Sequence, residues 1–157
     1  MNARILIVDD HEIVRKGIRN LIEESGHKDW EICGEAASGS EALEAVTALK
    51  PDLMILDIAM PSMNGLDAAS RITSEGVRCR VLLFTMYDSK WLGAEARRAG
   101  AQGFVLKSQA ARHLILAIER LLAGGTFFGG LEGEPAAKKG PSTSSLAFCN
   151  ALGLCSV

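Results

Sequence analysis

Arg4-Ile5-Leu6-Ile7-Val8-Asp9-Asp10 begins on a charge, runs through four uninterrupted apolar residues and stops on two acids. A strand wetted on one face alternates apolar with polar residues. An unbroken apolar run of this length predicts a strand covered on both faces, as in a parallel sheet held between helices. Runs of the same kind start at Trp30 (Glu31-Ile32-Cys33), Leu53 (Met54-Ile55-Leu56), Arg80 (Val81-Leu82-Leu83-Phe84) and Gly103 (Phe104-Val105-Leu106), 23 to 27 residues apart. The segments between them carry a helical period: Val14, Ile18, Leu21, Ile22 and again Leu114, Ile118, Leu121, Leu122 fall at i, i+4, i+7, i+8. Ser38-Gly39-Ser40-Glu41 predicts a capping box, Asn64 and Ser108 stand where N-caps belong, and Gly76 and Gly100 where helices stop. The pattern is five β-α units in about 120 residues. It predicts an α/β domain with a doubly wound, five-stranded parallel sheet and five helices.

Composition narrows the class. The 157 residues fit one domain, or one domain with a tail. Lys and Arg number 17 against 19 Asp and Glu, a net charge of −2, which argues against nucleic-acid binding through bulk positive charge. Hydrophobic residues make up 48% and charged residues 23%, the balance of a folded protein. No apolar run reaches the roughly 18 residues of a membrane span, and the N-terminus has no signal-peptide pattern, so the cytoplasm is the expected compartment. Cys33, Cys79, Cys149 and Cys155 form no CxxC pair, and His11, His27 and His113 are not spaced with them as metal ligands. Free thiols in a reducing compartment are expected. Residues 124–157 hold seven of the 16 glycines and two of the four prolines, which divides the chain into a body at 1–123 and a Gly/Pro/Ser-rich linker or tail at 124–157.

The chemistry lies at the strand ends. In an open parallel sheet, ligands bind beyond the carboxyl ends of the strands. The first strand ends in Asp9-Asp10, the third in Asp57, the fourth in Thr85 and the fifth in Lys107. Singly each has a plain structural alternative: Asp10 as a helix cap, Asp57 opening a turn, Thr85 as a β-branched strand residue, Lys107 as a solvated cation. Together they deliver three carboxylates, a hydroxyl and an ammonium to one edge of the sheet. Two carboxylates about 4 Å apart repel by about 4 kcal/mol at an effective dielectric of 20, so the cluster needs a cation or a shifted proton. Hard oxygen ligands suit Mg²⁺ (or Mn²⁺). A carboxylate beside that ion can attack a phosphoryl group, with Lys107 and Thr85 on the transferred oxygens.

These stretches resemble the receiver domain of bacterial two-component response regulators. The resemblance rests on Ile5-Leu6-Ile7-Val8-Asp9-Asp10-His11, on Asp52-Leu53-Met54-Ile55-Leu56-Asp57-Ile58-Ala59-Met60-Pro61-Ser62-Met63-Asn64-Gly65, on Leu83-Phe84-Thr85-Met86 and on Gly100-Ala101-Gln102-Gly103-Phe104-Val105-Leu106-Lys107. It implies a flavodoxin-like receiver fold with strand order 2-1-3-4-5. It implies Asp57 as the phosphoacceptor from a sensor histidine kinase, Asp10 on the metal directly, Asp9 through water and Ala59 through its backbone carbonyl. Thr85 and Lys107 would bind phosphoryl oxygens, and Phe104 occupies the family's switch-aromatic position. Ala59 departs from the family's frequent Asn, and Ser108 from its frequent Pro. Tyr87 flanks the site.

The run from Asp9 to Arg19 and the stretch Leu121-Leu122-Ala123-Gly124-Gly125-Thr126-Phe127-Phe128 look like the NarL/FixJ subfamily, whose members continue into a LuxR-type DNA-binding domain. Residues 129–157 are too few for such a domain, which needs roughly 60, so this chain alone is expected not to bind DNA. The expected function is a phosphorylation switch rather than an enzyme, acting through homodimerisation or partner contacts on a face with Trp91, Arg97, Arg98 and Arg112. The receiver half of a LuxR-type transcriptional regulator is the alternative. A small Mg²⁺-dependent aspartate phosphatase is a remote one, because residue 59 is Ala and its Asp-x-Asp motif is absent.

Overall fold

In the computed structural model, which describes residues 2–87 and 89–128, the five expected strands and five helices alternate along the chain. They are β1 (Ala3–Val8), α1 (Glu12–Glu24), β2 (Trp30–Ala36), α2 (Gly39–Leu49), β3 (Leu53–Asp57), α3 (Gly65–Ser74), β4 (Arg80–Thr85), α4 (Lys90–Arg98), β5 (Gly103–Leu106) and α5 (Ala110–Leu122). A sixth strand follows, β6 (Phe127–Phe128). Every pairing is parallel and the spatial order is 2-1-3-4-5-6. Among the described residues no helix is long and apolar enough to cross a membrane.

The sixth strand corrects the five-stranded expectation. After Gly124, whose φ of +95° turns the chain at the end of α5, Phe127 donates its N–H to the Gln102 carbonyl at 3.1 Å and pairs with Gly103, while Phe128 pairs with Phe104. Burial of the Phe127 ring, edge-on to His113, holds the strand in place. A two-residue aromatic run is too short to register as a strand by periodicity. The rest of the tail, with Cys149 and Cys155, lies outside the described residues. Cys33 and Cys79 are free thiols, and burial pushes the Cys79 thiol up to about 12.

Strand β2, at the edge of the sheet and buried only at Ala36, departs from the expected cover on both faces; in the other strands parity explains the unbroken apolar runs. Odd residues of β1 (Ile5, Ile7) pack under α1 and α5 with Val14, Ile18, Leu114 and Ile118. Even residues (Leu6, Val8) pack on the other face with Val46, Ala68, Ile72 and Ala96 of α2, α3 and α4. The central strand β3 is buried at every position.

Most local signals act as expected. Ser38 Oγ accepts from the Glu41 amide at 3.1 Å, while the Glu41 carboxylate reaches back to the Ala37 amide at 2.8 Å. Asn64 Oδ1 accepts from the Asp67 amide at 2.9 Å. Gly76 and Gly100 leave their helices at φ +69° and +84°. Ser108 is corrected: it lies inside a 3-10 turn, Lys107–Gln109, and Gln109 takes the N-cap position of α5 without a side-chain bond. The chain leaving β5 must tighten into that turn before α5 can start, which moves the cap one residue on.

Gly65 joins the fold to the acidic edge. Its amide donates to the Ile58 carbonyl at 2.9 Å, and a Cβ built on it would collide with the Asp57 carbonyl. Helix α3 therefore starts in backbone contact with the end of β3. Gly65→Ala should destabilise the protein by about 1–3 kcal/mol in urea unfolding, because the obstacle is backbone and cannot rotate away. Wild-type stability in that variant would show that the contact has slack.

Candidate functional site

The carboxyl ends of β1, β3, β4 and β5 converge on one pocket. Asp9 follows β1, and its amide continues the pairing by donating to the Ala36 carbonyl at 3.1 Å. Its side chain is fully buried. Oδ1 accepts from the His11 amide at 2.9 Å, and Oδ2 accepts from the Lys107 ammonium at 2.7 Å. Asp57 closes β3 with 2% exposure. Its Oδ1 lies 3.3 Å from Lys107 Nζ and accepts from the Ala59 amide at 3.3 Å. Lys107 is itself 3% exposed, so one buried ammonium spans two buried carboxylates from different strands. Thr85, also fully buried, accepts from the Tyr87 amide at 3.3 Å.

Asp10 is arranged differently. It is not the cap of α1, since His11 holds the N-cap position. Its Oδ1 is sealed from solvent and takes no hydrogen bond, although the exposed His11 ring brings Nδ1 within 3.0 Å. Asp9, Asp10, His11 and Asp57 can each place a ligand atom within 4.8 Å of the others. Three acids therefore face one ammonium, and one buried carboxylate oxygen takes no hydrogen bond among the described residues. A small divalent cation with oxygen preference supplies what is missing, so the residues present fit Mg²⁺. Both Asp9 oxygens already have protein partners, whereas Asp10 and Asp57 each retain an oxygen without one among the described residues.

Burial first, and then the Asp9 charge, push the Asp57 carboxyl from 3.8 up to about 6; Lys107 and the Ala59 amide offset this in part. The mouth of the pocket, a cavity of about 150 Å³, is lined by Ile13, Val14, Met86 and Ala59 beside His11, Asp57 and Lys107. Such a site can bind a divalent cation and an anionic oxygen group together and present a carboxylate to it.

The structure thus brings together Asp9, Asp10, Asp57, Ala59, Thr85 and Lys107. Phe104 stands apart from the pocket: its ring is 1% exposed and packed in the layer that holds Leu92 and Ala96 of α4. Trp91, Arg97 and Arg98 on α4 and Arg112 on α5 are exposed, Trp91 at 64%. Sequence reading passed over His11, Ile13, Met86 and Arg15, which donates to the Asp9 carbonyl at 2.6 Å. His11 and Met86 were detectable as chain neighbours of Asp10 and Thr85. Arg15 was not, because its contact depends on how α1 lies over the sheet.

A profile of the response regulator receiver domain matches residues 5–119. The nitrate/nitrite response regulator protein NarL of Escherichia coli K12 is 34% identical over 122 residues, covering 78% of this chain and 56% of that protein. The transcriptional regulatory protein PdtaR of Mycobacterium tuberculosis H37Rv is 37% identical over 133 residues, covering 85% and 63%. The chain thus spans 56% to 63% of the length of these curated relatives. The crystal structure of a LuxR-family two-component response regulator from Aurantimonas sp. SI85-9A1 matches with a TM-score of 0.77 at 36% identity, covering 83% of this chain and 91% of that one.

In the metal-free protein, folding raises the affinity of Asp57 for its proton. That contribution to stability is fully present below about pH 4 and is lost as pH rises through about 6. Asp57→Asn should therefore be more stable than wild type at pH 7, by about 3 kcal/mol in urea with a chelator present, with the gain shrinking toward zero at pH 4. A variant no more stable than wild type at pH 7 would contradict the account of the buried acids.

Proposed function

This chain belongs to the response regulator receiver family, and from that premise we propose that Asp57 accepts a phosphoryl group from a sensor histidine kinase and that the phosphate drives a conformational switch. The observation that carries the proposal is the Lys107 ammonium held 2.7 Å from Asp9 and 3.3 Å from Asp57 in a buried pocket. It supplies positive charge where the transferred oxygens must sit. Bound by Asp10, Asp57 and the Ala59 carbonyl, with Asp9 acting through water, Mg²⁺ or Mn²⁺ would screen the acids and draw charge from the phosphoryl oxygens.

The chain's own groups divide the remaining work. Lys107 and the Ala59 amide hold Oδ1 of Asp57, the oxygen a bound cation would share with them, which leaves Oδ2 to attack phosphorus. The new O–P bond forms as the N–P bond to the kinase imidazole breaks. Lys107 can then exchange its Asp57 contact for a phosphoryl oxygen, and the Thr85 hydroxyl can donate to another. The phosphate adds up to two negative charges. Moving Thr85 toward them opens space beside β4 and β5, where Phe104 is packed under α4. That links the pocket to the face bearing Trp91, Arg97, Arg98 and Arg112. Enzymatic turnover beyond loss of the phosphate is not part of this role.

The output proposed is dimerisation or partner binding through that face, in the cytoplasm where the kinase presents its phosphohistidine. A transcriptional output is favoured as a second reading by NarL and PdtaR, named as regulators and longer than this chain. In either case the receiver unit at the front of the chain, whose sheet extends to Phe127–Phe128, acts as the switch, with the Gly/Pro/Ser-rich remainder as its linker or tail.

Acetyl phosphate with Mg²⁺ should add one phosphoryl mass to the chain, at Asp57, and none to Asp57→Asn in intact-mass spectrometry. Equal modification of the variant would move the acceptor elsewhere. Trp91→Ala should leave stability within about 0.5 kcal/mol and weaken the phosphorylation-dependent dimer in sedimentation. A dimer indifferent to that change would place the output surface on another face.

A further inference from the structure

Helix α1 sends two arginines toward β2. Arg15 points its Nε at Glu35 Oε2, at 3.3 Å, and donates Nη1 to the backbone carbonyl of Asp9 at 2.6 Å. Arg19 grips the other oxygen of Glu35 through Nε and Nη2, at 3.1 and 2.8 Å. Glu35 stands on β2 opposite Ile7, two residues before Asp9. Burial pushes the Glu35 carboxyl up, but the bonds and charges of Arg19 and Arg15 outweigh it and hold the group below its usual range. The Arg15 side chain is 15% exposed, which is low for an arginine at a helix surface.

The carbonyl that Arg15 holds belongs to the peptide plane joining Asp9 to Asp10. Rotation of that plane swings the Cα–Cβ bond of Asp10. At its far end the Asp10 carboxylate takes no hydrogen bond on Oδ1, and among the described residues it meets just the exposed His11 ring. What restrains it is on the backbone side.

We propose that Arg15, anchored by Glu35, is a positioning residue that clamps the Asp9–Asp10 peptide and so aims the Asp10 carboxylate at the divalent-cation site. The inference rests on the reading of the acidic pocket as a Mg²⁺-dependent phosphoacceptor site. It is separable from a charge effect by sign. A guanidinium close to a divalent cation repels it, so removing the charge alone would tighten Mg²⁺ binding. Removing a clamp loosens it, as with other groups that orient metal ligands from behind.

The experiment is calorimetric titration of the full chain with MgCl₂, paired with the rate of acetyl-phosphate modification as a function of Mg²⁺. Arg15→Gln and Arg15→Lys should both raise the Mg²⁺ Kd about tenfold, since a lysine keeps the charge but cannot hold Glu35 and the carbonyl together. The rate at saturating Mg²⁺ should stay within about twofold of wild type, because only the metal-binding step is lost. Glu35→Gln, which keeps Arg15 but loosens its anchor, should weaken Mg²⁺ binding to a smaller extent, and it decides the matter if the Arg15 variants do not fold. Unchanged affinity with a lowered Tm would make Arg15 a fold-holding residue and overturn the proposal. Tighter binding in Arg15→Gln with no change in Arg15→Lys would overturn it in favour of plain charge. A wild-type chain that takes up no Mg²⁺, or is not modified at Asp57, would instead bring down the reading on which the proposal stands.

Discussion

One ammonium between two carboxylates holds the working end of this sheet together. Lys107 comes from the end of β5, Asp9 from the end of β1 and Asp57 from the end of β3, and all three side chains are almost wholly buried. Burying any of them alone costs several kcal/mol, and the cost is bearable only in company. The bridge therefore ties the register of three strands to one chemical requirement. A shift of any strand by one residue would send its charged end into the apolar layer.

The bridge leaves the site underbalanced, and that imbalance is what makes it useful. Three acids face one lysine, the Asp57 proton is held more tightly than usual, and a buried Asp10 oxygen takes no hydrogen bond among the described residues, with just the His11 ring beside it. A pocket that were neutral and satisfied would have no reason to take up a cation or an anionic group. The backbone reinforces this arrangement from behind: Gly65 lets α3 start against the Asp57 carbonyl, and Arg15 holds the Asp9 carbonyl. Through Thr85 and the strands β4 and β5, the same edge reaches the buried Phe104 and the exposed side of α4.

Much of this was legible in the residues. The unbroken runs at Ile5–Val8 and Leu53–Leu56 require cover on both faces, and the two core layers show that cover, odd residues of β1 on one side and even on the other. Asp9, Asp10, Asp57, Thr85 and Lys107 were legible because each ends a run, and strand ends in a parallel sheet meet on one edge. What escaped was set by three-dimensional closure. Strand β6 is two residues long and exists because the turn at Gly124 lays Phe127 beside Gly103. Ser108 lost its capping role to the tight exit from β5. Arg15 enters the site through the placement of α1, which no spacing rule encodes.

The most direct test of the central claim is a carbon-13 NMR titration of the Asp57 side-chain carboxyl in metal-free protein, wild type against Lys107→Met. The account predicts a midpoint at about 6 in wild type and a higher one in the variant, because the ammonium is what lowers it. A midpoint near the ordinary 3.8, unmoved by loss of Lys107, would contradict the picture of buried acids sharing one cation.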